Sequence, residues 1–153
     1  MKGINLNGTI KTYSSVPKTW GNILGVNYMS DEDLKGLGFY DVVRPDTKLS
    51  EQLGDIYFDE ANEVFTYPVE SRTYTQTVAE LKEQKIENLK SLYNSQLAKT
   101  DWYIIRSQEG ISVPQDILDT RTALRTECVT HETNINALTT KASVIDYELP
   151  NFI

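Results

Sequence analysis

Cys128 and His131 lie three residues apart on one predicted helical face, and they are the only cysteine and the only histidine in the chain. A Cys-His nucleophile also needs an orienting third group and an open cleft. The sequence signals neither, so Cys128 reads as a small buried apolar residue and His131 as a packed or interfacial one. One thiol and one imidazole build no cysteine cluster or His-rich metal site, and a lone cysteine forms no internal disulfide. Asp31, Glu32 and Asp33 resemble a carboxylate cluster, but acidic residues in the first turn of a helix offset its dipole without a metal. Asp55, Asp59 and Glu60 lack the spaced oxygens and glycine of a calcium loop. No Gly-rich phosphate loop, GxSxG elbow or HExxH is present. The expectation is a non-enzymatic protein with no catalytic, cofactor-binding or metal residues.

The elements that would position these side chains fall into two parts. Residues 1–74 read as β-rich with one short helix, because Thr, Tyr, Val, Ile and Phe interleave with Gly, Pro and Asn. Asn7-Gly8 predicts a tight turn between alternating runs. Ser30 caps a helix with an acidic first turn, which Gly36 or Gly38 ends. A strand over 39–43 stops at Pro45, and 55–59 pairs with 63–69 as a second hairpin, with Pro68 near an exposed edge. From about Gln76 the apolar period lengthens, and Val78, Leu81, Ile86, Leu89, Tyr93 and Leu97 share one helical face. Thr100-Asp101 caps a further turn through Trp102, and Val113-Pro114 opens a second long helix ending near Leu138. The tail over 142–150 loses the helical period and reads as a strand or extended arm. The fold class is therefore α+β: a small antiparallel β domain with one short helix over 1–74, then a long helical hairpin or coiled-coil segment over 75–153.

The last helix carries a regular seam of Ile117, Arg121, Leu124, Cys128, His131, Ile135 and Leu138, spaced alternately four and three. Two readings stand. The seam is either the inner face of an antiparallel hairpin or a surface shared with another chain, including a homo-oligomer. Arg121 and His131 matter here, since a buried charge is costly unless paired and polar seam residues often set partner choice.

The chain has 22 acidic and 15 basic residues and a net charge of −7, which argues against nucleic acid as a partner. No apolar run reaches the roughly 18 residues of a membrane span, and the first residues lack the apolar stretch of a signal peptide. Nine tyrosines, four phenylalanines and two tryptophans are the richer resource, since Tyr and Trp bury apolar area while keeping a polar tip. Trp20 and Trp102 are the best single anchors. The candidate partner-binding residues are Trp20, Trp102, Ile117, Arg121, Leu124, His131, Ile135 and Leu138.

One order of motifs carries a family likeness. A helix ending at Leu97, the break Thr100-Asp101-Trp102, the helix start at Pro114 and the run Arg121, Leu124, Arg125 together resemble the C-terminal signature of bacteriophage tail assembly chaperones, over residues 80–126. Asn7-Gly8, Val16-Pro17, Trp20, Met29-Ser30, Leu34 and Leu37-Gly38-Phe39-Tyr40 resemble N-terminal domains of proteins of the tail-fibre assembly type. The resemblance implies a protein that binds and masks a tail or tail-fibre protein during assembly, acting in the host cytoplasm. The alternative is a permanent virion subunit, a tail-fibre adaptor or baseplate-associated protein retained in the tail. A host-directed binding or inhibitory protein is a third class.

Overall fold

A computed structural model describes residues 1–152 and divides the chain into two compact units, Met1–Arg72 and Thr73–Ile153. The class is α+β. In the first unit, strands β1 (Lys2–Leu6) and β2 (Thr9–Tyr13) form the hairpin that Asn7-Gly8 predicts. Both turn residues have positive φ, 53° and 88°, as a two-residue turn matching the strand twist requires. The Asn5 side chain accepts a hydrogen bond from the Gly8 N–H at 2.9 Å. A small pair, β3 (Thr19–Trp20) and β4 (Ile23–Leu24), leads through a 3₁₀ turn at Val26–Tyr28 to α1 (Asp31–Gly36).

Helix α1 begins where Ser30 Oγ accepts from the Asp33 N–H and ends in a Schellman turn. The Phe39 N–H donates to Leu34 O and the Gly38 N–H to Lys35 O, with Gly38 at φ 87°. Leu34 and Phe39, which that turn brings together, are both in the core. The turn feeds β5 (Tyr40–Val42), which pairs with β1. Ile4, Val26, Leu34 and Phe39 form the buried core, with Tyr13 and Trp20 edge-on to Phe39.

The remaining strands are β6 (Glu51–Leu53), β7 (Tyr57–Asp59), β8 (Val64–Thr66) and β9 (Val69–Ser71). The main sheet runs β2-β1-β5-β8-β7, and β6 pairs with β9 separately. The sheet is mixed, which corrects the antiparallel expectation: β5 and β8 are parallel, with Asp41 opposite Val64 and Val42 opposite Phe65. Chain leaving β5 makes β6 and then returns through the β7–β8 hairpin, whose second strand docks beside β5 in the same direction. Phe65 is 2% exposed and lies over Gly3, where a Cβ would come within 2.7 Å of its ring. Glycine at position 3 makes that docking sterically open.

In the second unit, α2 (Val78–Ala98) starts with a reciprocal capping box between Thr77 and Glu80. It runs antiparallel to α4 (Gln115–Ala137), as Leu97 meets Arg121, Lys90 meets Glu132 and Lys82 meets Asn136. Leu89, Tyr93 and Ile135 are the buried centre, with Ile86, Leu124, Cys128, Tyr147, Leu149 and Phe152 packed around them. The tail departs from the expected strand or arm. Thr140 and Ser143 form a second capping box that starts α5 (Lys141–Asp146), which buries Val144. Beyond it, Phe152 stands edge-on to Tyr93. Lys85 Nζ donates to the carbonyls of Ile145 and Tyr147, both at 2.9 Å, satisfying acceptors that the end of a helix leaves orphaned. Burial holds that ammonium below its ordinary pKa. No helix among the described residues is long and apolar enough to cross a membrane.

Candidate functional site

Arg121 ties the start of α4 to the chain at the end of α2, the connected end of the helical hairpin. Its side chain is 7% exposed. One guanidinium nitrogen, Nη1, donates to Leu97 O and to Thr100 Oγ1, each at 2.7 Å, while Nη2 pairs with Asp101 Oδ1 at 2.9 Å. A cation beside the last carbonyls of α2 is favourably placed against the helix dipole. Charge-assisted hydrogen bonds of this length are among the strong ones. The seam arginine is thus paired, which resolves its placement on an otherwise apolar face. Thr100 does not cap the next helix with its side chain, as the sequence suggested; its hydroxyl donates to Leu97 O and accepts from Arg121.

What the clamp positions is α3 (Asp101–Ser107), a two-turn helix with no buried residue. Trp102 is 46% exposed and Ile105 64%. They lie three residues apart on one helical face. The Arg106 guanidinium sits 5.5 Å from the Trp102 ring centre, and the Tyr103 ring packs at 3.7 Å from that of Trp102. The indole is held by its neighbours while keeping much of its surface free. Ile105 and Arg106 were not among the partner-binding candidates read from the sequence. Their spacing from Trp102, three and four, was the available signal.

The other candidates take different places. Trp20 is half-buried against Phe39 and Tyr13, so it supports the core of the first unit. The seam faces α2: Ile135 is fully buried, Arg121 is clamped, and Ile117, Leu124, His131 and Leu138 are half-buried. Within the single chain the side chains of Arg121 and Ile135 are buried, the arrangement of the inner-face reading of the seam. His131 Nδ1 meets the Tyr147 hydroxyl at 2.7 Å, tying the tail to α4. The Cys128 thiol lines an open groove of about 360 Å³ with Tyr93, Leu97, Leu124 and Val129, and burial pushes its pKa up, away from the thiolate a nucleophile needs. Burial likewise raises the Tyr93 phenol.

Three of the carboxylates singled out from sequence, Asp31, Asp33 and Asp59, have partners within the first unit. Asp31 pairs with Lys2 at 2.7 Å, and that hydrogen bond holds its carboxyl below the ordinary range. Asp33 accepts from the Ser30 hydroxyl. Asp59 closes the β7–β8 turn, accepting from the Asn62 side chain and from the N–H groups of Ala61 and Asn62. Of the aromatic group around this hairpin, Phe58 and Phe65 pack together 5.0 Å apart while Tyr57 stays exposed.

No family model, curated protein or solved structure matches the chain.

Proposed function

We propose that the chain is a non-enzymatic assembly chaperone of the phage tail-fibre kind, which binds an apolar segment of a tail or tail-fibre protein on the α3 face until that protein assembles. One observation carries the reading. A helix with no fully buried side chain, only Tyr103 and Ile104 being half-buried, is fixed by a buried arginine and presents Trp102 and Ile105 outward. A buried charge is an expensive way to hold a corner, and a rigid aromatic anchor lowers the ordering cost of binding. The same contact joins the motif pieces behind the family likeness, since Thr100 and Asp101 meet Arg121 directly.

The face is small and is edged by Arg106. That suits a releasable contact better than the large apolar interface of an obligate subunit, and so favours the chaperone over a permanent tail-fibre adaptor or baseplate component. Such a protein acts in the host cytoplasm during assembly. The test is a pull-down from infected cells with the wild-type chain and with Trp102→Ala, Ile105→Ala. Recovery of a tail-fibre protein by the wild type and its loss in the double variant supports the reading; recovery of no tail protein refutes it.

A further inference from the structure

Residues 147–152 leave α5 without regular secondary structure and lie on the helical hairpin. Tyr147, Leu149 and Phe152 are half-buried against the centre made by Leu89, Tyr93 and Ile135, while Glu148 and Asn151 are exposed. No backbone–backbone hydrogen bond joins residues 148–152 to the rest of the chain among the described residues. Side chains of the hairpin hold the segment instead. Lys85 Nζ donates to the carbonyls of Ile145 and Tyr147, each at 2.9 Å, and His131 Nδ1 lies 2.7 Å from the Tyr147 hydroxyl. At the other end the Phe152 ring stands edge-on to Tyr93, 5.0 Å between centres. The segment therefore runs along α2 from Lys85 to Tyr93, with an ammonium and an imidazole turned toward it at its start and an aromatic ring at its finish.

A groove receives a peptide in this way, with apolar surface taking some side chains and a few placed polar groups fixing the register. We propose that the α2–α4 hairpin is a peptide groove, that residues 147–152 fill it in cis as a displaceable plug, and that its other ligand is a segment of a different protein with the same order of side chains. That order is a tyrosine, an aliphatic residue two positions on and an aromatic residue three further. The tyrosine hydroxyl meets His131, a main-chain carbonyl meets Lys85, and the last ring meets Tyr93. A hold of three half-buried side chains without main-chain pairing belongs to the parts of a fold that open locally. A second copy of this chain is the poorer occupant. Its segment offers only the contacts of the tethered one, which competes at an effective concentration in the millimolar range, and each copy carries a net charge of −7. A different protein displaces the plug by bringing further contacts of its own. The proposal concerns the tail of the helical unit and stands apart from the α3 reading.

The probe is a fluorescein-labelled peptide of residues 145–152, Ile-Asp-Tyr-Glu-Leu-Pro-Asn-Phe, titrated by fluorescence anisotropy against the full chain and its variants. Tyr147→Ala with Phe152→Ala vacates the groove, and this chain should bind the probe one to one, at least about tenfold more tightly than the wild type, whose own segment competes. Tyr147→Phe removes only the hydroxyl at His131 and should bind the probe about fivefold more tightly than the wild type, the worth of one hydrogen bond. Adding Lys85→Met to the vacated chain should weaken the probe about fivefold, and a probe with alanine in place of its tyrosine and phenylalanine should not bind. A vacated chain that keeps its helicity by circular dichroism and does not bind would overturn the proposal, as would binding equal to that of the wild type or indifferent to Lys85→Met. Loss of helicity on vacating the groove would overturn it too, since the segment would then be part of the core. So would a wild-type chain that exchanges the segment with a second copy and runs as a dimer by light scattering.

Discussion

Arg121 and Trp102 are read differently once their surroundings are known. The spacing of seven seam residues placed Arg121 on a face left open between the hairpin interior and another chain; its partners come from the α2–α3 corner, 20 to 24 positions earlier in the chain. Periodicity names a face and is silent about which carbonyls converge on it. Replacing Arg121 by methionine keeps most of the packing volume and removes the clamp. Arg121→Met should cost about 1.5–3 kcal/mol, the range for hydrogen bonds to charged groups, read as a lowered urea midpoint. Trp102, half open to solvent, should behave otherwise. Trp102→Ala should fall well short of the roughly 3–5 kcal/mol of a buried aromatic truncation and should instead abolish client capture. By contrast Ile135→Ala, at the fully buried centre of the helical unit, should cost about 2–5 kcal/mol.

At the scale of elements, local chemistry was legible and long-range pairing was not. Asn7-Gly8, Ser30 and Gly38 each carry a backbone requirement in their own identity, and the structure puts a turn, a cap and a helix exit there. The parallel β5–β8 pairing has no local signal, since it depends on Phe65 finding the space above Gly3. Helix α5 was hidden because a six-residue helix is too short for its apolar period to register; Thr140 and Ser143 were the only sign. Helix α4 holds threonines on its outer side whose hydroxyls bond back to carbonyls one turn earlier, as at Thr122, Thr126 and Thr130, so their polar groups are met without a partner. The α2 cap can be tested by pH. Hydrogen bonds from the Thr77 N–H and hydroxyl hold the Glu80 carboxyl below its ordinary value. A carboxyl lowered in the folded state contributes stability above its unfolded pKa, about 4.3 for glutamate, and loses it as pH falls through the folded value. An acid titration of helicity by circular dichroism should therefore include a component below about pH 4.3 that Glu80→Gln lacks. At neutral pH, Thr77→Ala should cost about 1 kcal/mol.

For the whole molecule, the chain divides into two compact units, Met1–Arg72 and Thr73–Ile153, and each presents its own exposed apolar side chains. In the helical unit two of them, Trp102 and Ile105, stand on α3, fixed by Arg121. A net charge of −7 works against self-association through long-range repulsion. The α3 face was half legible, because Trp102 stood out by type while Ile105 and Arg106 gained meaning only from the exposed side of a helix with no buried residue. The most direct test of the chaperone reading is quantitative mass spectrometry of purified phage particles, paired with the pull-down from infected cells. Absence of the chain from the particle, with a tail-fibre protein recovered through Trp102 and Ile105, is the predicted result. Stoichiometric presence in the particle would contradict it and make the chain a permanent component of the tail.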